Sequence, residues 1–336
     1  MNVFPEGDSV LTDAAVATAR DARSVRPLPE WPFGGERPPT ASLSGQNILL
    51  AFDGSTESEA AARVAAAIGD TLHAPVNVVS IIDSTPIPIP FPLDIAIGIA
   101  GESGGGAIHD EQEREVGKRI STLLARPVEW PTAIELGVPA DAIVRRASRI
   151  GAALVVMGLR RHGVVDRVVN DETSLSVMRR AAGPVLGVAA GATGLPRRAL
   201  VAMDFSRASV QAAIAAAQLM ADGGVLTLAY VESMLAYPAE SSEGVIHTLG
   251  LNSAFACVER ALASAALGVD HVVLHHSEAG ALSRFLLEYA KEIRADLLVA
   301  GSARHGRLDR ILLGSMSAEL VRDGQYSTLV VPPVHE

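Results

Sequence analysis

The chain has 336 residues, 49% of them hydrophobic and only 4% aromatic, with a formal net charge of −10. That length accommodates two domains of ordinary size, with cores built mainly from Ala, Val, Leu and Ile. The negative balance excludes a general nucleic-acid binder, because a phosphate backbone needs a basic face.

Taken in chain order, residues 1–45 include RPLPEWPFGGERPP, too rich in proline and glycine for a regular element, and read as a mobile arm with one short helix near 10–23. Strands are expected at 48–52, 76–82, 128–134, 153–157 and 184–188, with helices at 56–70, about 109–125, 139–149 and 172–181. The segment AGATGLPR (190–197) reads as a linker. A second series of strands follows at 199–203, 225–231, 270–274, 296–300 and 328–331. Strands alternating with helices imply a parallel sheet with right-handed crossovers. The first 20 residues carry acidic side chains and no basic leader before an apolar core, so no signal peptide is expected. The longest apolar stretch, IPIPFPLDIAIGIAGESGGGA, is interrupted by prolines, an aspartate and glycines, so no membrane span is expected. A cytoplasmic location is the resulting expectation.

The two series are copies of one unit. ILLAFDGSTESEAAARVAAAI (48–68) matches ALVAMDFSRASVQAAIAAAQL (199–219), and GAALVVMGLRRHGVVDRVV (151–169) matches RADLLVAGSARHGRLDRIL (294–312). Gly158 aligns with Gly301, and Asp166-Arg167 with Asp309-Arg310. The register slips only where the first copy carries the Pro/Gly-rich insertion 84–106.

An aliphatic strand ending in Asp53-Gly54-Ser55 or Asp204-Phe205-Ser206, closed later by a strand, a glycine-bearing loop, Gly-Ser and a helix, resembles the universal stress protein family. The resemblance covers about 46–334 as two tandem domains, at 46–190 and 198–336, joined by 191–197. It implies an α/β fold of two doubly wound domains, each a five-stranded parallel sheet in the order 3-2-1-4-5 with helices on both faces. It also implies that the domains pack through their last strands as a pseudo-dimer. Such chains can pair again into homodimers.

Open parallel sheets bind ligands at the carboxyl ends of their strands, where the strand order reverses. Asp204 and Gly301 are expected to face each other across that crevice in the second domain. Gly314-Ser315 then opens a helix whose free N–H groups and partial positive charge attract phosphate. Glycine lets a backbone approach an anion closely. Arg304, His305 and Arg307 add positive charge. The family's nucleotide-binding members carry Gly, two residues, Gly, nine residues, then Gly-Ser or Gly-Thr. The resemblance implies that Asp204 and Val231 hold the adenosine part of ATP, ADP or AMP, with or without Mg²⁺. Ala202, Gly301, Ala303, Arg304, His305, Gly306, Gly314, Ser315, Met316 and Ser317 complete the candidate site.

This sequence departs from the family pattern at two places. Arg304 stands at the second glycine and Gly306 two residues late, so Arg304 either narrows the pocket or reaches a phosphate itself. The first domain has Gly158, Arg161 at the glycine position, and Asp171-Glu172 in place of Gly-Ser. Carboxylates at a helix N-terminus take over the electrostatic role of an anionic ligand and repel polyphosphate. With Asp53, these residues read as a degenerate site without ATP. Asp53 and Asp204 also admit a plain explanation as caps before a helix.

Other features read as structural. Cys257 is expected to be a buried small hydrophobe. His275-His276 lack the convergent partners that zinc needs, so no metal is expected. GESGGG lacks the ending of a phosphate-binding P-loop. No catalytic constellation is present, so the chain reads as a non-enzymatic nucleotide-binding stress or signalling module with an unidentified protein partner. The rivals are a scaffold with both pockets degenerate, and a weak ATPase.

Overall fold

The structure, a computed structural model, describes residues 42–83, 105–159, 171–233, 242–263, 265–276, 282–302 and 315–332. In the first domain these form β1 (Ile48–Ala51), α1 (Thr56–Leu72), β2 (Val76–Asp83), α2 (Gly105–Leu123), β3 (Thr132–Gly137), α3 (Pro139–Arg149), β4 (Leu154–Leu159), α4 (Asp171–Arg180) and β5 (Val185–Ala189). The second domain has β6 (Arg198–Met203), α5 (Arg207–Leu219), β7 (Val225–Ser233), α6 (Ser242–Leu262), β8 (Gly268–His276), α7 (Leu282–Glu292), β9 (Leu297–Gly301), α8 (Ser315–Asp323) and β10 (Ser327–Val331).

Among the described residues all ten strands join one sheet, ordered β3-β2-β1-β4-β5-β10-β9-β6-β7-β8. Each half is parallel in the expected 3-2-1-4-5 order. The halves meet where β10 runs antiparallel to β5, with Thr328 opposite Gly187 and Leu329 opposite Leu186. The central strands β1, β5 and β10 are buried at every residue, as strands covered on both faces must be.

The alanine-rich α1 and α5 lie on one face. Ala60, Ala61, Ala65, Ala212, Ala213 and Ala216 are fully buried, and their small side chains let each helix approach the sheet. One apolar layer on this face spans both domains, from Leu50 and Val156 across Leu186 and Leu329 to Val201 and Val299. The opposite face is divided into two layers, one under α3 and α4 and one under α7. The linker is fastened by Asp296, whose carboxylate accepts from the backbone N–H groups of Arg197 (2.9 Å) and Arg198 (3.0 Å).

Several expected boundaries are corrected. The third strand is Thr132–Gly137 instead of 128–134, because Pro131 has no N–H to offer the ladder and contributes only its carbonyl, to Val78. The second-domain third strand is longer than 270–274, running Gly268–His276, with His275 and His276 as its last two residues. Leu43, assigned to the arm by sequence, is 4% exposed, and its N–H donates to Gln218 of α5 at 2.8 Å. The expected helix near 10–23 and insertion residues 84–104 lie outside the described residues. Cys257 is buried in α6.

Candidate functional site

The crevice of each domain begins at one turn, built the same way twice. Asp53 accepts from the Ser55 N–H at 2.9 Å, and Asp204 accepts from the Ser206 N–H at 2.9 Å, each closing an Asx turn at the end of the first strand. The serine then caps the following helix. Ser55 Oγ accepts from Ser58 N–H and Ser206 Oγ from Ser209 N–H, both at 3.2 Å. Partial burial pushes the Asp204 carboxyl up, but the hydroxyls of Ser206 and Ser209 and the Ser206 N–H together outweigh it and hold the group below the ordinary carboxylate range. Asp204 is therefore a carboxylate at neutral pH, on an exposed residue directly after β6.

Gly301 ends β9 beside this turn, since β6 and β9 pair in register from Ala199–Leu297 to Ala202–Ala300. The reason for glycine here is steric. A Cβ at Gly301 would lie 2.5 Å from the Ala208 carbonyl carbon and 2.7 Å from Ser209 N, inside the first turn of α5. Gly158 is in the same position, with a Cβ 2.6 Å from the Glu57 carbonyl carbon and 2.7 Å from Ser58 N. At these two positions the backbone makes its close approach to the protein's own helix.

Val231 is half-buried near the end of β7, and Ala202 is buried on β6, opposite Ala229 and Ala300 in the neighbouring strands. Helix α8 starts at Ser315, with Met316 and Ser317 in its first turn. Residues 303–314, which include Ala303, Arg304, His305, Arg307, Gly306 and Gly314, lie outside the described residues, as do 160–170 with Arg161. Asp171 and Glu172 open α4, as the sequence indicated.

In the first domain the crevice is a cavity of about 280 Å³ between β1 and β4. Asp53 and Gly158 line it, as expected. Sequence reasoning missed Glu57, Asp83, Pro139, Thr173 and Ser174. Asp83 ends β2 much as Ser233 ends β7, so the repeat itself carried a signal for it. Val321 also lines this cavity, from α8 of the other domain. No sequence pattern marked that residue. Among the described residues there is no cluster of three His, Cys, Asp or Glu side chains able to hold a metal ion, and no helix long and apolar enough to cross a membrane.

The universal stress protein family profile matches residues 45–189 and again 196–332. The chain belongs to the universal stress protein family, with two of its domains in tandem. A universal stress protein of Mycolicibacterium smegmatis is 27% identical over 308 residues, covering 87% of this chain and 99% of that one. Among solved structures, a universal stress protein from Archaeoglobus fulgidus superposes with a TM-score of 0.60 at 19% identity, over 86% of this chain and 98% of that one. A putative universal stress protein from Pseudomonas aeruginosa gives 0.54 at 13% identity, over 87% and 95%. At these identities the structural likeness establishes the fold.

Proposed function

We propose that this protein is an adenine-nucleotide-binding stress or signalling module, with ATP, ADP or AMP in the crevice of its second domain and the first domain as packing partner. The reading is carried by one juxtaposition. Asp204 follows β6 and Gly301 ends the adjacent β9 at the reversal of strand order, and α8, the next described helix, starts at Ser315. An ionised carboxylate suits the N–H and O–H donors of adenosine, and a helix N-terminus suits phosphate. In the first domain Asp171 and Glu172 take the place of Gly-Ser at the helix start, where carboxylates repel polyphosphate. Nucleotide then acts by favouring one of two conformations or partner-bound states, which requires different affinity for each.

A second reading, a scaffold without nucleotide, is favoured by the identity of the two Asp-Ser turns. The Asp204 carboxylate is already satisfied as part of a cap, as a ligand-free turn requires. The two readings separate on purification. Full-length protein isolated without added nucleotide, then denatured, is expected to release ATP, ADP or AMP at about one per chain by mass spectrometry. Release of none, with no heat on titration with millimolar Mg-ATP, selects the scaffold.

A further inference from the structure

Helix α8 belongs to the second domain by sequence, yet it packs into both. Ala318 and Val321, 4% and 3% exposed, lie in the first domain's apolar layer with Leu175, Val177 and Met178. Leu320, 2% exposed, lies in the second domain's layer with Leu286 and Leu298. A hydrogen bond from the Ser283 hydroxyl to Glu319 ties α8 to α7 of its own domain. The helix is thus held between two cores, and its Val321 side chain forms part of the first domain's 280 Å³ cavity, together with Thr173 and Ser174 of α4.

We infer that α8 couples the two crevices: a ligand held at its N-terminus in the second domain reshapes the Val321 wall of the first domain's cavity. This rests on the nucleotide reading given above. Ser315 and Val321 are about 9 Å apart along the helix axis, less than two turns. A hydrogen-bonded helix of that length does not absorb a displacement internally, and close-packed cores respond to one by shifting to a second packing. Anion capture at Ser315 therefore reaches the cavity through Val321 and, through Ala318, the α4 contact. The coupling is reciprocal, so whatever occupies the first cavity alters nucleotide affinity at the second site by the same factor.

The test uses the full chain. Mg-ATP binding is followed by calorimetry, and hydrogen exchange is compared with and without saturating Mg-ATP in peptides covering 154–159 and 171–180. The expected result is one nucleotide per chain with an exchange change of about fivefold in those first-domain peptides, the lower end of ordinary allosteric coupling. Val321→Ala is expected to retain the heat and lose the exchange change. Val321→Ile, which extends the wall into the cavity, is expected to retain both and covers the case of an alanine variant that does not fold. Heat without any first-domain exchange change overturns the coupling and leaves the nucleotide reading standing. An exchange change that survives in folded Val321→Ala, or is lost in folded Val321→Ile, overturns the Val321 route. Two nucleotides per chain overturn it as well, because the first cavity then fills directly. Absence of heat overturns both the coupling and the nucleotide reading.

Discussion

The two domains build the same first turn from opposite materials. In the first, Gly54 takes the left-handed conformation at φ +77°, and the guanidinium of Arg119 on α2 donates to the Gly54 carbonyl and pairs with Glu59 at 2.9 Å. In the second, the same position is Phe205 at φ +57°, a conformation that costs a non-glycine residue on the order of 1–2 kcal/mol. The cost is offset by burial. Phe205 packs edge-on to Phe255 at 4.9 Å and beside Tyr230 at 5.4 Å, and Phe255 stacks on His271 at 4.4 Å, which Glu259 holds at 2.8 Å. One turn is closed from outside by an exposed ion pair, the other from inside by an aromatic stack. The shared elements, Asp, Ser and the packed glycine, are what the helix–strand junction needs. The residue between them is free to differ.

That contrast is broken most directly at Phe255, which is fully buried. Phe255→Ala is expected to destabilise the protein by about 3–5 kcal/mol in urea unfolding. Its counterpart Arg119→Ala removes a half-exposed pair and is expected to cost no more than about 1 kcal/mol. Equal losses would show that the two turns are not supported differently. The packed glycines should behave alike in both domains: Gly301→Ala and Gly158→Ala each force a Cβ against helix backbone and are expected to cost about 1–3 kcal/mol. An Ala variant as stable as the parent would show that contact with the helix backbone is not what requires glycine there. Ser206→Ala and Ser55→Ala remove equivalent caps and are each expected to cost about 1 kcal/mol.

The smallest effect is on pH dependence. Folded Asp204 binds its proton more weakly than the unfolded chain does. Its stabilising contribution is complete above about pH 4–5 and is lost as the pH falls through the lower folded value. Urea midpoints measured on acidification are expected to fall less steeply in Asp204→Asn than in the parent. An unchanged slope would mean that the Ser206 and Ser209 contacts do not favour the charged form.

Much of the fold was legible because aliphatic strands, alanine-rich helices and the internal repeat all carried the same message. The order of each half-sheet and the β5–β10 seam followed from the resemblance. Strand β3 was misplaced because VEWP is strand-like in composition while Pro131 withholds a ladder donor. Asp53, Asp204, Gly158 and Gly301 stand at the strand ends where the sequence pattern put them, but the close packing of the glycines was not legible, since it depends on the depth at which α1 and α5 pack. Val321 was missed for a stronger reason. A residue that completes another domain's cavity has no local pattern, and only the crossing of α8 over the seam reveals it.

We propose that the two crevices have diverged, with nucleotide in the second alone. Calorimetric titration of the full chain with Mg-ATP, in the parent, Asp204→Ala and Asp53→Ala, separates the two. The expected result is one site per chain, lost in Asp204→Ala and intact in Asp53→Ala. Binding that survives in Asp204→Ala and disappears in Asp53→Ala would place the nucleotide in the first domain and contradict the claim.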